Sequence, residues 1–382
     1  MLKIEKPALA AAIAAAIPVV SKTAKVPIMQ HLCIERDGDD LTLRGSSGDI
    51  EIAARSQAMF DADFEAFTVP AHLLEDAVRR MPDGSELRIE RVDFDGRLSH
   101  INIRTGRSRV KLPVLPASDF PKLDAGNLPH QISLNATALA KRIKAVLPSV
   151  CTDLSRYILA GVVLDPADDG LRLAATDGHR LSVRFIPAIE IDQSDDLAKV
   201  PRTIIPTRVM ERALKVMDGH DDVALEISDQ KIRVTSGRTV MIGKIIEGVY
   251  PEYRRIKPDA GAGRLAFSSA ALHAAISRVL VVTPDAGLGV AFHAVGEQMS
   301  LAARDMAVGE ADDEIACEVE TEFRGGFNGQ QMRDALENTD GDKVEYLVGP
   351  ALDGTTLLRI PGDDENYTII MPLQPKYARP QA

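Results

Sequence analysis

The sequence holds 382 residues, 45% hydrophobic and 26% charged, which is too long for one ordinary core and too apolar for a disordered chain. Its 45 Lys and Arg against 56 Asp and Glu leave a net charge of -11, so the molecule as a whole is not built to coat itself in phosphate, although a local basic stripe stays open. Trp is absent and aromatics are 4%, against a base-stacking platform, and three cysteines (Cys33, Cys151, Cys317) are too few and too scattered for a disulfide framework or a zinc site, which points to a reducing cytoplasm.

The chain begins with an apolar run, Ala8 to Val20, behind Lys3 and Lys6. The run is too short to span a bilayer, and Leu9, Ile13 and Ile17 recur every four residues. It reads as a helix started by Pro7 rather than as a secretory leader.

A module then recurs three times: a helix, a loop, a strand, a short turn and a strand ending in a small-residue-plus-Asp corner. The corners are Leu41 to Asp49, Leu171 to Asp177 and Met299 to Asp305, and their aspartates lie 128 residues apart each time. A second module follows each first one, with helices opening at Pro70, Pro206 and Asn328 and stopping at Asp83-Gly84, Asp218-Gly219 and Asp340-Gly341. Alternating strands follow these helices, such as Glu86 to Glu90 and Lys231 to Thr235. The connectors Ser118 to Pro121 and Gly248 to Pro251 both carry an aromatic-Pro pair. The expected fold class is therefore α+β, with three tandem domains at 1–125, 126–256 and 257–374, each of two helix-plus-antiparallel-strand half-units. Residues 375–382, with two Pro and no apolar period, are expected to be a disordered tail. Equal wedges in tandem curve, and joined through a twofold interface they close a ring.

Charge indicates which layer would face the hole. In the fourth helix Arg208, Arg212 and Lys215 form one stripe over a face of Met210, Ala213, Leu214 and Met217. In the third, Lys141, Arg142 and Lys144 ride over Leu139, Ile143, Val146 and Leu147. The second helix ends Arg79-Arg80, and the loop after the first carries Lys22 and Lys25. Solvated helix faces are the plain alternative. Basic helices inside an acidic chain fit a hole that admits a polyanion and an outer surface that repels it.

Other chemistry is sparse. Asp177 and His179 within Thr176-Asp-Gly-His-Arg-Leu181 would be tried as an acid/base pair, yet Asp-Gly is a turn signal and the sibling corners keep Asp49 and Asp305 without a His. No phosphate-cradling GxxxxGK[ST] or GxGxxG loop occurs, and Gly106-Arg-Ser-Arg109 reads as an exposed strand edge.

Taken together, Gly106 to Pro113 with Asp119-Phe-Pro121, Ala175 to Leu181, Tyr250 to Ile256 and Tyr367 to Leu373 resemble the bacterial sliding clamps, the β subunits of DNA polymerase III. The resemblance runs from residue 1 to 373. It implies a DNA-clamp fold, a head-to-tail homodimeric ring around double-stranded DNA, twelve helices lining the hole and no catalysis, cofactor or metal. It further implies that the ring tethers the polymerase III core and other polymerases, repair and regulatory factors through a short peptide motif, and that an ATP-driven clamp loader opens it. The family's frequent arginine in the loop after the first helix is not at the same place here, Lys22 and Lys25 being the nearest substitutes, and the tail from Gln374 runs past the family's usual end.

Carried over by motif, the partner-peptide cleft is walled by Leu159, Thr176, Gly178, His179, Arg180, Leu181, Pro251, Arg255, Ile256, Ile369, Met371, Pro372 and Leu373. Its Leu, Ile and Met suit an adaptable apolar floor, and Arg180 or Arg255 would hold a peptide carbonyl or carboxylate. The implied ring interface sets Arg107, Arg109, Val110 and Leu112 of one copy against Val281, Val282, Glu310, Asp312, Asp313 and Glu314 of the other. The rival readings are a hydrolase centred on Asp177 and His179, and a monomeric interaction scaffold with no DNA role.

Overall fold

A computed structural model describes residues 1–94, 97–193, 197–257, 263–283, 289–348 and 356–373. The tail expected to be disordered lies outside the described residues.

Among these residues one pattern, strand–helix–strand–strand–strand, occurs six times. The first copy runs Leu2–Glu5, α1 (Lys6–Ala16), His31–Asp37, Asp40–Ser46 and Ile50–Gln57. The second runs Phe67–Pro70, α2 (Ala71–Arg79), Glu86–Phe94, Arg97–Thr105 and Ser108–Pro113. The third runs His130–Asn135, α3 (Ala136–Val146), Gly161–Ala167, Gly170–Thr176 and Arg180–Pro187. The fourth runs Thr203–Pro206, α4 (Thr207–Met217), Asp222–Ile227, Lys231–Ser236 and Thr239–Lys244. The fifth runs Gly263–Ser268, α5 (Ser269–Val279), Gly289–Val295, Gln298–Asp305 and Gly309–Val319. The sixth runs Phe323–Asn328, α6 (Gly329–Glu337), Lys343–Val348, Thr356–Arg359 and Tyr367–Ile370.

Helix starts follow local chemistry. The Asn328 side chain accepts hydrogen bonds from the amides of Gln330 (3.0 Å) and Gln331 (3.1 Å), satisfying two of the orphan donors of α6. Proline occupies the first turn of α1, where its missing N–H costs nothing. The apolar run that imitates a leader buries Leu9 and Ile13, each worth roughly 1.5–3 kcal/mol relative to exposure.

The chain divides into two compact units, one of 1–140, 190–201 and 208–245, the other of 141–189, 202–207 and 246–382. The first holds a five-stranded and a ten-stranded antiparallel sheet, the second a twelve-stranded one. The opening strand of each pattern pairs outside its own copy. Leu2–Glu5 joins Glu86–Phe94, and Phe67–Pro70 joins His31–Asp37. The same exchange links His130–Asn135 to Asp222–Ile227, and Thr203–Pro206 to Gly161–Ala167. Residues 126–256 thus contribute strands to both units.

The closing strands form seams. Ile50–Gln57 pairs with Thr239–Lys244 in the first unit, and Arg180–Pro187 pairs with Tyr367–Ile370 in the second. Two closing strands keep an open side among the described residues. Ser108–Pro113 is the edge of its five-stranded sheet. Gly309–Val319 pairs along Gly309–Ala316 with Gln298–Asp305, and only Cys317–Val319 meets another strand on the far side.

All three cysteines are buried and unbridged, and burial pushes the Cys33 thiol up to about 12, with the Glu35 charge adding to it.

Candidate functional site

The second seam brings together several of the residues expected to wall the cleft. Strand pairing sets Arg180 opposite Ile370 and Leu181 opposite Ile369, and the Met371 amide donates to the His179 carbonyl at 2.8 Å. Leu181 and Ile369 are buried together with Val163, Val183, Tyr250 and Tyr367, with Leu159 packed against them. Met371 and Ile256 are exposed, and Pro372 and Leu373 half-buried. The Pro251 to Ile256 segment is pinned from beneath. The Tyr253 hydroxyl donates to Asp165 at 2.6 Å, Arg254 joins the same carboxylate at 2.9 Å, and the Thr176 amide donates to the Tyr250 hydroxyl at 3.0 Å. The result is an apolar floor with a fixed rim, suited to an extended apolar peptide.

Of the two arginines expected to hold a peptide group, one is engaged elsewhere. Arg180 is not available to a peptide: its guanidinium donates to Asp177 (3.1 Å), to Asp334 (2.7 Å) and to the Pro148 carbonyl. Arg255 is exposed, with no ion pair among the described residues. The sequence reading also missed an apolar rim. Leu154 and Val249 are 79% and 85% exposed, Tyr157 is exposed, and Ile158 sits beside Gly248. Large apolar residues in two irregular loops next to the aromatic-Pro connector were the available signal.

The acid/base reading fails on geometry. Asp177 caps its own turn, one oxygen accepting from the amides of His179 (2.8 Å) and Arg180 (2.9 Å), the other from the Arg180 side chain. Asp305 does the same for Ala307 and Val308. A carboxylate spent this way is a turn device, and it makes no contact with the exposed imidazole of His179 among the described residues.

The basic helix residues fall into two kinds. On α2, Arg79 and Arg80 both turn onto Asp76. On α3, Lys141 pairs with Asp340 at 2.7 Å, Arg142 is half-buried with Nε on the Phe185 carbonyl at 3.4 Å, and Lys144 is exposed. On α4, Arg208 and Lys215 are exposed, Arg212 is half-buried, and none makes an ion pair among the described residues. Val209, Met210, Ala213, Val216 and Met217 form the buried face of α4, while Leu214 is only half-buried. Lys22 and Lys25 are exposed in their loop.

At the expected interface, Arg109 is exposed and Val110 half-buried on the open edge, while Leu112 points into its own core. Val281 is 77% exposed, and Val282 packs on the core of its unit. Glu310, Asp312 and Glu314 are exposed along the other open strand, Glu310 pairing with Arg304 and the half-buried Asp313 with Arg278.

The family model "DNA polymerase III beta subunit, N-terminal domain" matches residues 1–124, and that of the "central domain" matches 133–252. The Beta sliding clamp of Caulobacter vibrioides is 30% identical over 380 residues, 98% of this chain and 99% of that one. That of Escherichia coli K12 is 26% identical over 351 residues, 91% and 93% of the two chains. A crystal structure of the Caulobacter crescentus clamp superposes with a TM-score of 0.91 at 28% identity, covering 98% of each chain. A Bartonella birtlesii clamp bound to griselimycin gives 0.90 at 26% identity, covering 98% and 99%.

Proposed function

The chain belongs to the family of DNA polymerase III β subunits, the bacterial sliding clamps, and from that premise we propose that two copies close head to tail around duplex DNA. Its function is that of a processivity factor in DNA replication, and it has no catalysis of its own. The observation that carries the ring is the bookkeeping of closing strands. Four of the six are consumed in the two seams, and the two left open carry opposite charge. Arg109 and Lys111 lie along one, with Arg107 in the turn before it, and Glu310, Asp312 and Glu314 along the other. An open edge is a template for pairing, and a second copy supplies the complementary strand at each end. Val110 and Val281 would add apolar contact at the centre, with charge setting register and steering encounter.

Arg208, Arg212, Lys215 and Lys144, with Lys22, Lys25, Lys141, Arg142, Arg79 and Arg80, would meet phosphates without reading bases, which suits a ring that slides. The cleft of the second seam would take the extended peptide of the polymerase, the clamp loader or another factor. The griselimycin-bound relative supports a peptide-like occupant for this family. A single cleft gives modest affinity, and tethering near DNA adds effective concentration. The setting for all of this is the cytoplasm.

Retention on nicked circular DNA, against linear DNA of the same length, tests the ring after loading. A topological link persists on the circle and runs off free ends. Equal retention on both would overturn it.

A further inference from the structure

The rim segment Pro251 to Ile256 lies outside the strands, and its short turn, Tyr253–Ile256, has no side-chain cap at Glu252 among the described residues. Within the segment the Tyr253 amide donates to the Pro251 carbonyl at 2.8 Å and the Arg255 amide to the Glu252 carbonyl at 3.2 Å. These bonds shape the turn without fixing where it sits. Two side chains from neighbouring strands do that. Asp165, on Gly161–Ala167, is 8% exposed and accepts from the Tyr253 hydroxyl at 2.6 Å and from Arg254 at 2.9 Å. Arg202, just before Thr203–Pro206, donates to Glu252 at 2.7 Å and to the Pro251 carbonyl at 3.2 Å. Its guanidinium also lies 5.4 Å from the centre of the Tyr253 ring.

The two strands are paired, Leu164 opposite Thr203, and Arg202 comes within 3.7 Å of Asp165. Four consecutive residues, Pro251 to Arg254, thus answer to one Asp–Arg pair. Burial pushes the Tyr253 hydroxyl up, with the Asp165 hydrogen bond and charge adding to it, so the hydroxyl stays protonated and remains the donor. The position is reused. His31 faces Pro70 in the first seam as Gly161 faces Pro206 in the second, which sets Glu35 where Asp165 stands. Glu35 likewise takes hold of the linker after its own connector, through Lys122. Only the second linker carries residues expected at the cleft, Arg255 and the 44% exposed Ile256.

We propose that Asp165 is a positioning residue for peptide recognition, and that with Arg202 it fixes the rim which presents Arg255 and Ile256 to the peptide. The proposal rests on the cleft reading above. The buried carboxylate acts through the rim, which it orders before the peptide arrives, so that binding does not bear the cost of ordering it.

The test is calorimetry of the full-length protein with a short peptide carrying a Gln and two large apolar residues. Asp165→Asn keeps an acceptor for Tyr253 and removes the charge, and should weaken the peptide about five- to tenfold. Arg202→Gln, at a side chain 28% exposed, should weaken it about threefold and keeps the test decisive should Asp165→Asn fold poorly. Glu35→Gln, at the same register of the first seam, should leave the affinity unchanged. A double-mutant cycle separates positioning from a general loss of stability. Once Arg255→Ala with Ile256→Ala has removed the presented side chains, either variant should cost less than about twofold more. Native affinity in either folded variant, additive losses in the cycle, or an equal loss in Glu35→Gln overturns the proposal and leaves the cleft standing. Failure of the native protein to bind the peptide overturns the cleft reading, and this proposal with it.

Discussion

The two seams are built on the same scaffold and finished differently. At the corner of the first, the Ser46 hydroxyl accepts from the Gly48 amide at 3.2 Å; at the second, Thr176 accepts from Gly178 at 3.1 Å. Gly48 and Gly178 have φ of 87° and 89°, a conformation that needs glycine. The Lys244 amide donates to Asp49 at 3.0 Å as Met371 does to His179. Strand register then places Glu51 where the second seam has Leu181, and Arg44 where it has Ala174. Glu51, 2% exposed, accepts from Arg44 at 2.6 Å and from the Leu123 amide at 2.8 Å, while Lys122 pairs with Glu35. The first corner is therefore plugged by its own linker through an ionic network. The second keeps an apolar floor open. Two side chains in a shared frame decide whether a corner is plugged or left apolar.

Giving the first corner the second one's side chain tests this most severely. Glu51→Leu takes from the half-buried Arg44 its nearer carboxylate, leaving Glu35 at 3.3 Å, and should cost about 1–3 kcal/mol in urea unfolding, whereas adding Arg44→Ala should recover most of it. A single variant that loses under 1 kcal/mol would mean the plug is ornamental. Next in size is the contrast between closed and open closing strands. Val281→Asp should convert dimers to monomers by light scattering at micromolar concentration, with the melting of each unit otherwise preserved. A persistent dimer refutes that edge.

Within the open corner, Leu181→Ala with Met371→Ala should weaken a Gln-containing apolar peptide at least tenfold, about 1.4 kcal/mol, by calorimetry, with the dimer intact. Replacing Arg208, Arg212 and Lys215 by alanine touches neither seam and sharpens the comparison as a control. Peptide binding should stand while the salt slope of DNA binding falls by about 3, against a smaller fall for Arg79→Ala with Arg80→Ala, whose charges Asp76 already offsets. The smallest effect is that of pH. Burial alone would raise the Glu35 carboxyl, but Lys122 and Arg44 more than offset this and hold it below the usual carboxylate range. A depressed carboxylate stabilises above its unfolded pKa and loses that contribution as pH falls through the folded one. The first unit should thus soften in acid more than a Glu35→Gln variant does, and identical acid profiles would assign the loss elsewhere.

Much of this was legible in the sequence, for stated reasons. The helices were marked by start signals such as Asn328 and stop signals such as Asp340-Gly341, and the recurring Asp corners set the period. The cleft was legible because its residues cluster in short motifs. What escaped was long-range. Nothing local says that Leu2–Glu5 pairs with Glu86–Phe94 rather than inside its own copy. Val110 and Leu112 share one face of their strand, and that only Leu112 is fully covered depends on the rest of the sheet. Arg180 read as a ligand group because its partners Asp334 and Pro148 are distant in sequence.

The exchange of opening strands bears on how the protein is made. Leu2 meets Phe60 on one side, but its longer partner strand arrives only when Ile89 has been synthesised. At about 5–20 residues per second this strand leaves the ribosome and waits roughly 4–17 s for the strand on its longer side. The strand is therefore made well before its longer side is secured. Until then the nascent chain carries an exposed edge beside the apolar face of α1, where early contact with a chaperone would matter most.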